Sequence, residues 1–114
     1  MKRGEVWLVN LDPTIGAEIR KSRPAVIVSN DRLGKLPLRI IVPITAWDER
    51  FATADWHVKL QAGIGNGLAK DSSADTFQVR SVSEGRLVKK LGVLGTDEIG
   101  KIEEGLRIVL ELGE

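Results

Sequence analysis

Residues 16–31 read GAEIRKSRPAVIVSND, and the two halves of that stretch differ in character. The first half is polar and basic, with Glu18, Arg20, Lys21, Ser22 and Arg23 inside six consecutive positions. The second half, Ala25 to Val28, is an apolar run bounded by Pro24 and by Asn30-Asp31, which is the pattern of a buried strand. Arg23 therefore stands where a loop becomes a strand, and the proline after it biases its backbone toward the extended region. A cation held at such an edge has the fixed geometry that chemistry needs. From this stretch alone, an ordinary solvated arginine beside a strand reads the same way.

Upstream, Glu5 to Leu11 is strand-like in its Val, Trp and Leu content, and Asp12-Pro13 ends it with turn chemistry. The connection from Asp12 to Ser22 is long for a link between short strands. Such loops are functional or disordered, and this one is expected to be the most mobile segment. Downstream, Arg32 to Pro37 forms a turn and Leu38 to Thr45 a third strand, in which Pro43 lacks a ladder donor and points to an edge or a bulge. Ala46 to Asp55 reads as a loop or short helix, His57 to Leu60 as a strand, and Gly63 to Gly67 as a turn. Leu68 to Lys70 is expected to start another strand. Asp75 to Val82 reads as one strand with a twist or bulge, and Leu87 to Leu94 as the last, interrupted by Gly92. Thr96 is the expected N-cap of a closing helix, with Asp97 and Glu98 favouring the dipole of its first turn. Ile99, Ile102, Leu106, Val109 and Leu110 then share one apolar face. Gly100 and Gly105 weaken that helix by about 1 kcal/mol each relative to Ala, and allow it to pack closely. Short strands followed by one helix predict a mainly β fold: a small, curled, mostly antiparallel sheet or barrel with the helix docked on it.

At 114 residues the chain, 1–114, is expected to be a single domain. Absence of cysteine excludes disulfides, thiol nucleophiles and Cys-based metal sites. The N-terminus lacks an apolar signal core and no apolar run reaches membrane-spanning length, so a cytoplasmic location without membrane association is expected. The net charge of +1 hides an asymmetry: residues 1–39 carry eight Lys/Arg against four Asp/Glu, a balance of +4, and residues 40–114 carry nine against twelve, a balance of −3. A basic N-terminal third suits a phosphate-bearing partner, although scatter of surface charge gives the same composition.

Gly63-Ile64-Gly65-Asn66-Gly67 lacks the strand–loop–helix setting and spacing of a phosphate loop and reads as a tight turn. His57 is the sole histidine, which rules out two-histidine acid–base catalysis and a three-histidine zinc site. A structural or surface role suits it better. Among the three tryptophans, Trp47, two residues past Thr45 in a polar loop, is the candidate for base stacking.

Three segments carry a more specific signal. The first is Arg3-Gly4-Glu5-Val6-Trp7, continuing through Leu11-Asp12-Pro13, Gly16 and Glu18 to Arg23-Pro24. The second is Pro43-Ile44-Thr45, and the third is Lys70-Asp71-Ser72 followed by Gln78-Val79-Arg80. In this order and spacing the chain closely resembles the MazF/PemK family of toxin endoribonucleases over nearly its whole length. The resemblance implies an SH3-like β-barrel with a C-terminal helix, a homodimer, no cofactor and no metal. It also implies sequence-specific cleavage of single-stranded RNA, leaving a 2′,3′-cyclic phosphate and a 5′-hydroxyl, with neutralisation by a MazE-like antitoxin. By position, Arg23 and Thr45 match the catalytic arginine and threonine. Glu18, with Arg20, Lys21 and Ser22 around it, falls in the loop that shapes the site, and Ser72, Gln78 and Arg80 fall in or beside the third motif. Phe77 departs from the pattern, standing where many members carry a polar or acidic residue, so base preference does not carry over.

The chemistry is consistent with these residues. Cyclising cleavage needs the 2′-hydroxyl deprotonated, the phosphorane's charge stabilised and the 5′-oxygen protonated. A guanidinium supplies a planar fork of donors matched to phosphate oxygens, and a threonine hydroxyl adds another. Arginine is always protonated, so Arg23 suits charge stabiliser and acid better than base; Glu18 is a candidate base. Two other readings stay open. One is a toxin of similar fold that binds DNA gyrase without chemistry of its own, and the other is a non-catalytic RNA-binding barrel whose binding would depend strongly on salt.

Overall fold

A computed structural model describes residues 1–113. Seven strands run in chain order: β1 (Glu5–Asn10), β2 (Ser22–Ile27), β3 (Leu38–Ala46), β4 (His57–Leu60), β5 (Ser72–Asp75), β6 (Arg80–Ser83) and β7 (Leu87–Val93). A single α-helix, α1 (Thr96–Leu110), follows. The strands lie in the order β4-β5-β3-β2-β1-β7, with β6 also pairing with β3, and every pairing is antiparallel.

The Ala25–Val28 run is continuous rather than alternating because the sheet is covered on both faces. Val26 and Val28 join Val6, Val42, Ile44 and Leu60 in one core, into which α1 places Ile102, fully buried, flanked by the partly buried Ile99 and Leu106. Ala25 and Ile27 join Val9, Leu11, Ile41, Val82 and Leu87 in a second core on the other face. Ile19, from the loop between β1 and β2, packs against that second core. The loop is thus tied to the sheet by an apolar side chain.

β3 organises the sheet. On one flank it pairs with β2 through Ala25↔Pro43, Val26↔Val42 and Ile27↔Ile41. On the other it changes partner, pairing with β6 over Leu38 to Ile41 and with β5 over Ile44 to Ala46. Pro43 is therefore neither at a sheet edge nor at a bulge. It is buried mid-strand, within the two-residue gap between these pairings, where a residue without an amide hydrogen fits.

The hydrogen-bonded sheet stays open, since β4 and β7 end it without pairing with each other. The 61–68 turn bridges that side instead: the Val93 N–H donates to Gly65 O at 2.9 Å, and Asn66 holds the turn by accepting from Gly63 N and Leu68 N and donating to Gln61 O. The barrel implied by the resemblance is thus a curled open sheet with a glycine-rich turn laid across its gap.

Four local expectations change. Asp75 to Val82 is not one strand: the Asp75 carboxylate accepts from the Phe77 N–H at 3.1 Å and caps a 3-10 turn at Thr76–Gln78, which divides β5 from β6. Leu68 makes only an isolated bridge with Gly63, and the next strand starts at Ser72. The helix N-cap is Gly95, not Thr96, because Glu98 Oε1 accepts from the Gly95 N–H at 3.1 Å. Leu110 is exposed, and Gly105 takes a place on the buried face instead, packed against Thr76.

Glu5 ties β1 to its surroundings. Its carboxylate accepts from Trp7 Nε1 at 2.9 Å and from the Lys2 N–H at 3.0 Å, and pairs with Lys90 Nζ at 3.2 Å. Burial opposes its ionisation, but these donors outweigh burial and lower its pKa from 4.5 to about 2. A lowered folded-state pKa stabilises the fold above the unfolded value and loses that contribution as pH falls. Glu5→Gln is therefore expected to be less stable than the parent at neutral pH, the difference closing between pH 4.5 and about 2 in acid-denaturation curves. A constant difference across that window would contradict this role.

Candidate active site

Arg23 and Thr45 stand near the ends of two neighbouring strands. The β2–β3 pairing ends at Ala25↔Pro43, and Arg23 and Thr45 each lie two residues beyond that pair. Both then share the sheet face of Ala25 and Pro43. β2 begins at Ser22, one residue before Arg23, so the arginine stands at the start of the strand, where the loop ends. It is exposed, and its Nε donates to Arg20 O at 3.2 Å. Among the described residues its terminal nitrogens have no partner, so the face of the guanidinium fork points to no protein acceptor. Thr45 is half-buried and pairs on its other flank with Ser73 of β5.

The 12–22 loop forms the next wall. Its base is closed by the Leu11 N–H donating to Lys21 O at 2.9 Å and the Lys21 N–H donating to Asp12 Oδ1 at 3.1 Å, with Lys21 at φ +69°. The Lys21 N–H, the Thr14 hydroxyl and nearby cations outweigh desolvation and hold the Asp12 carboxyl below its usual range. Its far end is held by Gln78, whose Oε1 accepts from the Ile19 N–H at 2.6 Å while its Nε2 donates to Ala17 O at 3.2 Å. Glu18 is exposed, and its Oε1 accepts from the Ile15 N–H at 2.6 Å. Arg80, at the start of β6, donates from Nη1 to Leu11 O at 3.2 Å. Between the loop and the 3-10 turn lies a cavity of about 520 Å³ lined by Ala17, Glu18, Phe77, Gln78, Val79 and Arg80. Glu18 meets Gln78 and Arg80, from a distant part of the sequence, there.

Other candidates stand elsewhere or are already engaged. Arg20, Lys21 and Ser22 are exposed along the loop and the start of β2. Ser72 is buried, and its hydroxyl donates to Lys70 O at 2.8 Å, which makes it a strut of the β3–β5 pairing. Trp47 donates from Nε1 to Glu49 at 3.1 Å, meets Phe51 edge-on at 5.8 Å and carries Lys59 Nζ 5.0 Å from its ring centre. His57 is enclosed, stacked on Phe51 with ring centres 3.8 Å apart and hydrogen-bonded through Nδ1 to Ser73 Oγ at 2.8 Å. Sequence reasoning did not single out Asp75 or Arg86. Asp75 shapes the turn bearing Phe77 and Gln78, and Arg86 Nη1 donates to Asn10 O at 3.1 Å and to Asp12 O, clamping the loop base. An Asp two residues before an exposed amide is a legible turn signal. A long-range arginine clamp is not.

Chemically, the candidates offer unpartnered guanidinium donors on β2 and a hydroxyl on neighbouring β3, and a carboxylate, an amide and a second guanidinium line a cavity. Such a set suits a phosphodiester and the bases next to it.

Comparisons with known proteins agree on one relationship. The family described as PemK-like, MazF-like toxin of type II toxin-antitoxin system matches residues 2–110. The chain is 35% identical over 118 residues to Endoribonuclease MazF9 of Mycobacterium tuberculosis, covering 98% of each. It is 32% identical over 113 residues to Endoribonuclease EndoA of Bacillus subtilis, covering 98% of this chain and 96% of that protein. In fold it is similar to the crystal structure of MazF from Deinococcus radiodurans, with a TM-score of 0.80 at 21% identity over 98% of this chain and 97% of that one. It is also similar to an endoribonuclease in complex with its cognate antitoxin from Mycobacterial species, with a TM-score of 0.77 at 19% identity over 100% and 98% of the two chains.

Proposed function

The chain belongs to the PemK-like, MazF-like toxin family, and on that premise we propose that it is an mRNA-cleaving endoribonuclease that cuts single-stranded RNA at a short sequence without a metal. The observation that supports this reading is that Arg23, its fork unpartnered among the described residues, and Thr45 each lie two residues beyond the last pair of neighbouring strands, Ala25↔Pro43. The 2′-oxygen attacks the adjacent phosphorus, the P–O5′ bond breaks, and the products are a 2′,3′-cyclic phosphate and a 5′-hydroxyl. Arg23 binds the phosphorane oxygens and passes a proton to the leaving 5′-oxygen, regaining one from water as the proton taken from the 2′-hydroxyl returns to solvent, and Thr45 donates to the same phosphate. The 2′-hydroxyl proton goes to a group other than the always-protonated arginine; Glu18, the carboxylate of the cavity, is the candidate. Gln78 and Arg80 shape the cavity, Arg20, Lys21 and Ser22 line the approach, and Ser72 and Trp47 support the far strand end.

Growth inhibition through loss of mRNA in the cytoplasm follows from such cleavage. A MazE-like antitoxin with an acidic, disordered segment lying over the basic loop would block it. The support is the family match, the +4 balance of residues 1–39 and the antitoxin-bound structural neighbour. Among the described residues, no helix is long and apolar enough to cross a membrane.

The homodimer belongs to the same proposal. Leu33, Leu36, Leu38 and Ile40 are all exposed within eight residues, a patch suited to a second copy. Light scattering of the free protein is expected to give twice the monomer mass, and a monomer at micromolar concentration would contradict this.

The test of activity is incubation of the protein with a long single-stranded RNA in EDTA. Discrete fragments are expected. Intact RNA across varied sequences would contradict the proposal and move attention to gyrase or to binding without cleavage.

A further inference from the structure

Phe77 is a large aromatic side chain that is 68% exposed, yet its backbone is fixed. The Asp75 carboxylate holds its N–H at 3.1 Å, and the Val79 N–H donates back to Thr76 O at 3.3 Å, closing the turn that carries it. Trp56 backs the ring in an edge-on contact, with centres 6.3 Å apart. Leaving an aromatic ring in water on a rigid turn gains nothing for the fold, and large exposed apolar groups beside a cavity mark binding surfaces. This ring lines the same 520 Å³ cavity as the Glu18 carboxylate and the Arg80 guanidinium.

We propose that Phe77 is the stacking platform for one nucleobase of the bound single strand. The flat ring takes the base face, and Arg80 supplies the cation that the neighbouring phosphate requires. An aromatic face with a flanking cation is a general way to hold an unpaired base. The volume admits a base. Trp56, held against Phe77, keeps the platform from turning away. The inference rests on the ribonuclease reading and adds a specificity-determining residue to it.

The test uses the full-length protein and an RNA containing its mapped cut sequence. Phe77→Ala is expected to lower kcat/KM about 5- to 150-fold, the range of losing one stacked base, through KM with kcat nearly unchanged. Phe77→Leu loses as much despite being apolar, and Phe77→Trp restores it. In parallel, 2-aminopurine is placed at each position of an RNA whose cut-site nucleotide is 2′-deoxy, so that it binds without being cut. One position is expected to be quenched on binding by the parent and by Phe77→Trp but not by Phe77→Ala. Unchanged KM in Phe77→Ala, equal activity of Phe77→Leu, or no quenched position each overturns the platform while cleavage leaves the ribonuclease reading standing. Neither cleavage nor binding by the parent overturns both.

Discussion

Arg23→Ala is expected to lower the rate of RNA cleavage by about 100- to 1,000-fold, the usual cost of removing a donor aimed at developing transition-state charge. The side chain is exposed and its one internal hydrogen bond is Nε to Arg20 O, so the loss should leave the fold and its melting temperature nearly unchanged. The effect should fall on kcat, since the phosphorane carries more charge than the ground-state diester. Arg23→Lys keeps the charge but not the planar fork, and is expected to recover only part of the rate. Single-turnover cleavage of a saturating RNA by the two variants, with circular dichroism as a folding control, checks this. A folded Arg23→Ala protein with the parent's rate would remove Arg23 from the chemistry.

Gly92→Ala is expected to destabilise the fold by about 3 kcal/mol and to lower Tm by roughly 10 °C, at the upper end for overpacking a close contact. A Cβ at Gly92 would lie 2.4 Å from Gly65 O and from the carbonyl carbon of Asn66, and 2.7 Å from Asn66 Cα. All three are backbone atoms, so no flexible side chain can move aside. The turn cannot recede either, because Asn66 holds it by three hydrogen bonds and Gly67, at φ +70°, would itself place a Cβ 2.2 Å from Leu91 O. Gly92 thus faces the backbone of the turn, and Gly67 that of β7, where the turn crosses between β4 and β7. Gly100 in α1 is the control: nothing lies within 4 Å of its Cβ position, and Ala there should stabilise the helix by about 0.5–1 kcal/mol. Thermal denaturation separates the two, and a Gly92→Ala protein melting with the parent would contradict the packing described.

The strands and the helix were legible where residue type and period agreed. Ala25 to Val28 is apolar on both faces because both cores need it, and the α1 face through Ile99, Ile102 and Leu106 meets the first core. Pro43 misled, because its missing donor indicates only that a ladder bond is absent. The sequence does not show that β3 changes partner at that residue rather than ending at an edge. Asp75 to Val82 misled because its alternation conceals an aspartate-capped turn. Within the site, Arg23 and Thr45 are visible as strand-end residues, but that their strands are neighbours comes from a register that joins distant segments. Ser72 was named without its local role, a buried hydroxyl that donates to Lys70 O. Gln78 was named without its role, since a 59-residue separation from Ile19 leaves no local trace of the contact that holds the loop.

The central claim is that a histidine-poor, cysteine-free site built on Arg23 and Thr45 cleaves RNA through its own 2′-hydroxyl. The most direct measurement is the chemistry of the ends that the purified protein leaves on a long single-stranded RNA in EDTA. Ends bearing a 5′-hydroxyl and a 2′,3′-cyclic phosphate at one recurring sequence, with no cut where the nucleotide before the bond is 2′-deoxy, are the expected result. Ends bearing a 5′-phosphate, or continued cutting at the 2′-deoxy position, would contradict it.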